Sequence, residues 1–396
     1  MSVADSRLRK AQSVLDGAVS AGDLLFAAGL VGDKSGVLLG HAAGSRGLDD
    51  ASPVQRDSIF AIASMTKLVT TVAALQLAET GALDLDQPAD HYLPELKSLS
   101  VLQGFASDGE PVYAPAQRAP TARELITHTS GFVYSIWNQD AFSHEAKGLS
   151  SGVGSGRAML DAPLAFEPGT DWEYGISTDW LGFLVERISG QRLMAYFAEH
   201  VFAPLGMVDT TFEFDAQKMH RAVSMLARVD GTLVTSPVMQ PVPAAPGSSQ
   251  FYGGGGGLYS TLDDYGLLLQ ALLNEGHGAG GAILQPQTVA AMFDSQIGDL
   301  QIKSCQSQMP SLSLDLDVGF GAPATWGLGL LIHSDGTVNG RSAGSGSWAG
   351  LFNSYFWIDR ERELYGIFAT QVMPFLDPQA VATLTAFERA IYGVNA

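Results

Sequence analysis

Cysteine is almost missing from this sequence of 396 residues: Cys305 stands alone. A single thiol makes no internal disulfide and no cysteine-based metal cluster. The eight histidines show no ligand spacing, so no metal and no other cofactor is expected. Positive charge is scarce as well, with 22 Lys and Arg against 41 Asp and Glu and a formal net charge of −19. Such a field repels phosphate backbones and anionic lipid, which sets aside nucleic acid and the membrane surface as partners. It also disfavours strongly anionic small molecules unless a local basic pocket overrides it. Long apolar runs are absent too. Stretches such as 24–31 are far too short to span a bilayer. The N-terminal segment reads as a charged amphipathic helix without an apolar signal core, so a soluble cytoplasmic protein is the expectation.

What is present is material for a core. Hydrophobic residues make up 46% of the chain and charged ones 16%, the balance of a globular protein with extensive burial. Two apolar runs, 24–31 and 37–43, are joined by G-D-K-S-G and read as a β-hairpin. Residues 58–62 look like a short strand. The segment 67–79 is apolar nearly all round and stops at Thr80 and Gly81, the pattern of a buried helix. The middle of the chain mixes helical patterns (121–127, 180–188, 194–201, 263–273) with Gly/Pro/Ser-rich loops, one of which holds five consecutive glycines at 253–257. From about residue 325 the strand pattern returns in WGLGLLIHS, LFNSYFWID and ELYGIFATQ, and a helix over 378–392 closes the chain. The expected class is α+β. Its antiparallel sheet comes from both termini (1–80 and 320–396), flanked by helices, with a mainly helical region (81–319) inserted. The active site is expected between the two lobes.

The chemistry is concentrated at Ser64, Met65, Thr66 and Lys67. A serine hydroxyl attacks only when something removes its proton. Residues three apart on a helix share a face, so the Ser64 and Lys67 side chains can meet. At a helix start, free N–H groups and the dipole favour developing negative charge. Burial is expected to lower the pKa of Lys67 so that a neutral amine serves as base. S-x-x-K by itself is a weak pattern. Here, however, Lys67 is the only one of seven lysines with a serine three residues before it, and it lies where an ordinary lysine would be costly.

Three decoys fall away. G-L-S-S-G at 148–152 fits a nucleophile elbow but has no strand before it and no helix after it. Lys34, Ser35 and Gly36 lie in a hairpin turn ahead of Ser64. The glycine run has no following Lys-Ser/Thr and does not match a phosphate loop; it is expected to let backbone pack closely near the site.

The block I-A-S-M-T-K at 62–67, with its apolar helix, L-D-L-D-Q-P at 83–88 and Y-L-P-E at 92–95, resembles the first block of class C β-lactamases and their esterase relatives. In the same order follow E-L-I-T-H-T-S-G at 124–131, F-E-P-G with W-E-Y-G-I at 166–176, P-L-G-M at 204–207, the glycine segment and the final strands. The resemblance covers nearly the whole chain and implies a β-lactamase/transpeptidase-like fold. It also implies that Tyr174 is the second catalytic side chain, sharing the Ser64 proton with Lys67 and passing it to a leaving alcohol. The resemblance further implies an oxyanion hole formed by the backbone N–H groups of Ser64 and Leu351.

Two departures bear on substrate. Where the lactamases carry K-T-G, this chain has Trp348, Ala349 and Gly350, and the amide of their Y-x-N is replaced by Ile176. Both changes remove polar grip on a carboxylated amide and add apolar surface. The pattern resembles family VIII carboxylesterases and related acyltransferases that act on polyketide lactones. The substrate-binding candidates are therefore Trp348, Ala349, Gly350, Ile176 and Tyr134. The expected activity is cleavage of a small-molecule carboxylic ester through a Ser64 acyl-enzyme, with Lys67 and Tyr174 as general base and acid. Acyl transfer, amidase or D-peptidase action with weak β-lactam hydrolysis, and a non-catalytic binding role are the alternatives; assembly as a homo-oligomer is left open.

Overall fold

The structure, a computed structural model, describes residues 3–394. Helix α1 (Val3–Ser20) precedes strands β1 (Phe26–Asp33) and β2 (Gly36–Gly44). Helices α2 (Thr66–Glu79), α3 (Ala122–Thr127), α4 (Ser177–Ser189) and α5 (Leu262–Leu273) follow, among loops and shorter elements. The C-terminal part supplies β3 (Ala324–Trp326), β4 (Leu331–His333), β5 (Ser345–Gly350), β6 (Ser354–Asp359), β7 (Leu364–Ala369) and helix α6 (Pro378–Tyr392). These seven strands form one antiparallel sheet in the order β3-β4-β5-β6-β7-β1-β2, so the two ends of the chain meet along the β1–β7 pairing. The class is α+β, as the strand and helix patterns indicate.

Glycine sets how closely the layers approach. A Cβ on Gly29 of β1 would lie 2.5 Å from Phe387 of α6 and 3.0 Å from Leu15 of α1, so these two helices cover one face of the sheet. On the other face Gly266 of α5 lies against Leu30 and Tyr365. A sheet covered on both sides needs strands that are apolar throughout. Strand β6, S-Y-F-W-I-D, is buried at every position. Helix α2 has 11 of its 14 residues buried, which is why its sequence shows no polar face. Among the described residues no helix is long and apolar enough to cross a membrane.

One strand reading needs correction. WGLGLLIHS is two strands, β3 and β4, folded back at Gly329, whose φ of +78° favours glycine. Strand β5, S-G-S-W-A-G, has weak strand propensity and stands outside the apolar strand pattern; its glycine at 346 is needed because a Cβ there would come within 2.8 Å of Phe293 and 2.9 Å of Leu330.

The β5–β6 turn is fixed by Asn353, fully buried with φ +61°. Its amide donates to the carbonyls of Val372 and Pro374, both at 2.8 Å, while Oδ1 accepts from the Tyr355 hydroxyl at 2.8 Å and from Leu376 N–H at 3.0 Å. Asn353→Ala strands four polar groups at once. We expect it to lower unfolding free energy by about 2–5 kcal/mol in denaturant titration; a change below about 1 kcal/mol would show that the network is replaceable.

Candidate active site

The approach to Ser64 is a sharp turn. The short strand Phe60–Ala61 ends at Ile62, and Ala63 then takes φ +42°, a conformation that costs a non-glycine residue energy. Ser64 lies in a single 3-10 turn, Ala63–Met65, that leads directly into α2. One turn on, Lys67 is buried and donates to Ser64 Oγ at 3.2 Å, to the Tyr134 hydroxyl at 3.0 Å and to the Gly255 carbonyl at 2.6 Å. All three ammonium protons are thus used, and each acceptor comes from a different part of the chain.

The direction of the Lys67 pKa reverses the expectation from burial. Desolvation does pull it down, but Tyr134, Tyr174 and the carboxylate of Asp179 together more than offset that, and the group is held above its ordinary value. Burial likewise pushes the Tyr134 phenol up. Lys67 therefore rests as an ammonium.

The second phenol is arranged differently from the expectation. Tyr174 meets Lys67 with its ring, 4.9 Å from Nζ to the ring centre, and its hydroxyl accepts from the Trp348 indole N–H at 3.0 Å. Behind it His128, the left-handed C-cap of α3, bonds Ser177 Oγ through Nδ1 at 2.9 Å and packs edge-on against the Tyr174 ring at 4.7 Å. Burial holds His128 neutral by pushing its pKa well down. Trp348 also packs on Trp326, at 4.6 Å between ring centres, so an aromatic cluster stands on this side of the site. A Cβ on Gly350 would lie 2.4 Å from the Ile62 carbonyl, which brings Leu351 beside the serine turn.

A cavity of about 640 Å³ opens over Ser64. Ile136, Trp137 and Phe375 are among its apolar walls, together with Phe212 and Tyr252, and its lining also includes Trp348, Ala349, Gly350, Leu351, Tyr134 and Tyr174. Among the described lining residues the charged ones are Asp179 and Glu213, both acidic. Ile176 does not reach the cavity. It precedes α4 with its side chain in the hydrophobic core, so its contribution is packing and not substrate contact.

The decoys stay decoys. Ser150 lies in a loop and bonds His144 Nδ1 at 2.8 Å, with Tyr113 on the other ring nitrogen at 2.6 Å, outside the cavity. Asp33 Oδ1 ties the Lys34–Gly36 turn through the N–H groups of Ser35 and Gly36. The glycine run does allow close approach: a Cβ at Gly254 would meet the Thr178 carbonyl at 2.6 Å, and one at Gly255 would meet Asp179 Oδ2 at 2.3 Å.

Sequence reasoning missed three participants. Gly255 acts only through its backbone. Asp179 lies five residues after Tyr174, and a buried acid in the first turn of α4 was the available signal. Glu213 accepts from the N–H groups of Gly247 and Ser249 and the Tyr252 hydroxyl, which fastens the wall loop.

Comparison with known proteins agrees with the fold. A family profile described as Beta-lactamase matches residues 14–390. The chain is 34% identical to the monacolin J acid methylbutanoyltransferase of Aspergillus terreus over 358 residues, covering 86% of this chain and 83% of that protein. It is 32% identical over 369 residues to the lovastatin esterase of Penicillium rubens, covering 89% and 90%. The LovD6 mutant of simvastatin synthase from Aspergillus terreus superposes with a TM-score of 0.83 at 29% identity, covering 98% of this chain and 97% of that one.

The Lys67–Tyr134 contact can be tested without a substrate. Tyr134→Phe leaves one buried ammonium proton without its acceptor, a loss of about 1.5–3 kcal/mol for a hydrogen bond to a charged group. Denaturant unfolding should show that loss, and an unchanged stability would show that the contact is not made.

Proposed function

The chain belongs to the β-lactamase family and carries its α+β fold, and from that footing we propose that it is a serine esterase of the family VIII carboxylesterase type, working through an acyl-enzyme on Ser64. The observation that carries this reading is the 3.2 Å contact between Lys67 Nζ and Ser64 Oγ beneath a largely apolar cavity lined by Trp348.

In this reading Ser64 Oγ attacks the ester carbonyl carbon while its proton passes to Lys67 in the minority amine form. The N–H groups of Ser64 and Leu351 receive the oxyanion. Collapse expels the alcohol, which needs a proton. Tyr174 is suited to give it, because its oxygen is already occupied as acceptor by Trp348 and its own hydrogen is free to face the cavity. The proton that Lys67 took from Ser64 then passes to the Tyr174 phenolate, which restores the amine and the phenol for the second half of the reaction. Water then cleaves the acyl-enzyme by the same steps in reverse. The substrate is a neutral ester: the lining offers apolar walls and two acids, which disfavour a carboxylated lactam.

A second reading, acyl transfer, is favoured by a specific pair of observations. The cavity is larger than a short acyl chain needs, and one relative is named a methylbutanoyltransferase while another is named an esterase. An alcohol seated in the cavity would then replace water at the acyl-enzyme.

Short p-nitrophenyl esters should be cleaved by the wild type at least about 100-fold faster than a chromogenic cephalosporin, and Ser64→Ala should abolish the reaction. Persistence of ester cleavage in that variant rejects Ser64 as nucleophile; comparable cephalosporin turnover rejects the role given to Trp348. An added alcohol that diverts most product into a new ester would select acyl transfer. Because Lys67 is held above its ordinary value, its amine form is scarce at neutral pH. The kcat/KM for a neutral ester should therefore climb by about tenfold per pH unit above pH 7; a flat profile there would remove Lys67 as the acceptor.

A further inference from the structure

Lys67 gives all its hydrogen bonds to uncharged oxygens, those of Ser64, Tyr134 and Gly255. A buried ammonium satisfied only by dipoles still needs a counter-charge nearby. Directly behind Gly255 lies Asp179, buried in the first turn of α4, where the helix dipole favours a carboxylate. Its Oδ1 accepts from Gly255 N–H at 2.9 Å, so one glycine residue is held by the acid through its N–H and by Lys67 through its carbonyl. Oδ2 is buried and has no hydrogen-bond partner.

That empty oxygen is informative. An asparagine would hold Gly255 equally well through its own Oδ1, without the cost of burying a charge. The geometry therefore leaves the charge itself to be explained. Glycine at 255 is the only residue type that fits against Oδ2, so the chain keeps the acid and Lys67 one residue apart and forbids a side chain between them.

We propose that Asp179 is the counter-charge of the site, a positioning residue that holds Lys67 through Gly255 and balances the positive charge that gathers on Lys67 when Ser64 gives up its proton. This rests on the reading of Ser64 as nucleophile and Lys67 as proton acceptor. The other groups facing Lys67 are the Tyr134 hydroxyl and the Tyr174 ring, with His128 further back and neutral. The glycine segment brings no titratable side chain, and β5 brings Trp348 alone. Burial pushes Asp179 up to about 6, partly countered by Lys67, so at neutral pH it is ionised. Its removal makes the ammonium form of Lys67 less favourable, which moves the amine form to lower pH and weakens stabilisation of the ammonium that forms during attack.

The experiment measures the rate of covalent labelling of Ser64 by a fluorophosphonate between about pH 6 and pH 10, in which Oγ bonds phosphorus, fluoride leaves and the serine proton passes to Lys67. In Asp179→Asn, which keeps the Gly255 contact, the ascending limb should move about one unit to lower pH and the plateau should fall roughly tenfold. In Asp179→Glu, which keeps the charge, the limb should stay at the wild-type pH whatever its plateau. Thermal melting of both variants reports folding separately. An unmoved limb in Asp179→Asn, or a limb displaced equally in Asp179→Glu, overturns the proposal alone. Wild-type protein that is not labelled at any pH overturns the Ser64 reading and this inference with it.

Discussion

Everything at the candidate site is arranged around one buried ammonium. Lys67 lies inside an apolar helix where an unpaired charge would cost several kcal/mol, and it is tolerated because three acceptors converge on it. Each acceptor imposes its own demand on the chain. The Ser64 contact needs the strained turn at Ala63. The Tyr134 contact needs the loop after α3, fixed by the left-handed His128. The Gly255 contact needs a backbone with no side chain, pressed against the start of α4. The serine chemistry and the packing of the helical region are therefore two aspects of the same constraint.

Trp348 works in the same direction. The indole adds no charge, donates one hydrogen bond to Tyr174 and joins Trp326 in a wall of rings. Among the described residues that line the cavity none is a cation, and apolar walls make up most of it beside Asp179 and Glu213.

Legibility in the sequence followed the physics of each feature. Helix α2 and strands β1, β6 and β7 were readable because burial writes itself as continuous apolar residues, whereas β2, a partly exposed edge strand, was readable from its apolar run and the turn before it. The Ser64–Lys67 pair was readable because helical spacing fixes which side chains meet. Strand β5 does not stand out in the apolar pattern, since Gly346 is there to fit against Phe293 and Leu330 and Gly350 against the Ile62 carbonyl, and nothing local encodes that. Ile176 was placed in the pocket by its position after Tyr174, but whether a helix-start residue faces cavity or core depends on the rotation of α4. The direction of the Lys67 shift was misjudged because burial is local information, whereas the phenols and acid that reverse it come from segments far along the chain.

The pairing of β1 with β7 has a consequence for biosynthesis. The hairpin β1–β2 leaves the ribosome early, yet the neighbour that completes its inner edge is encoded near the other terminus. Until then its unpaired backbone groups and apolar faces have no partner, and an open strand edge invites pairing with other chains. Closing so long a loop is also slow, since the entropy is lost before the contact forms. Between the synthesis of β2 and that of β7 the sheet therefore stays unfinished.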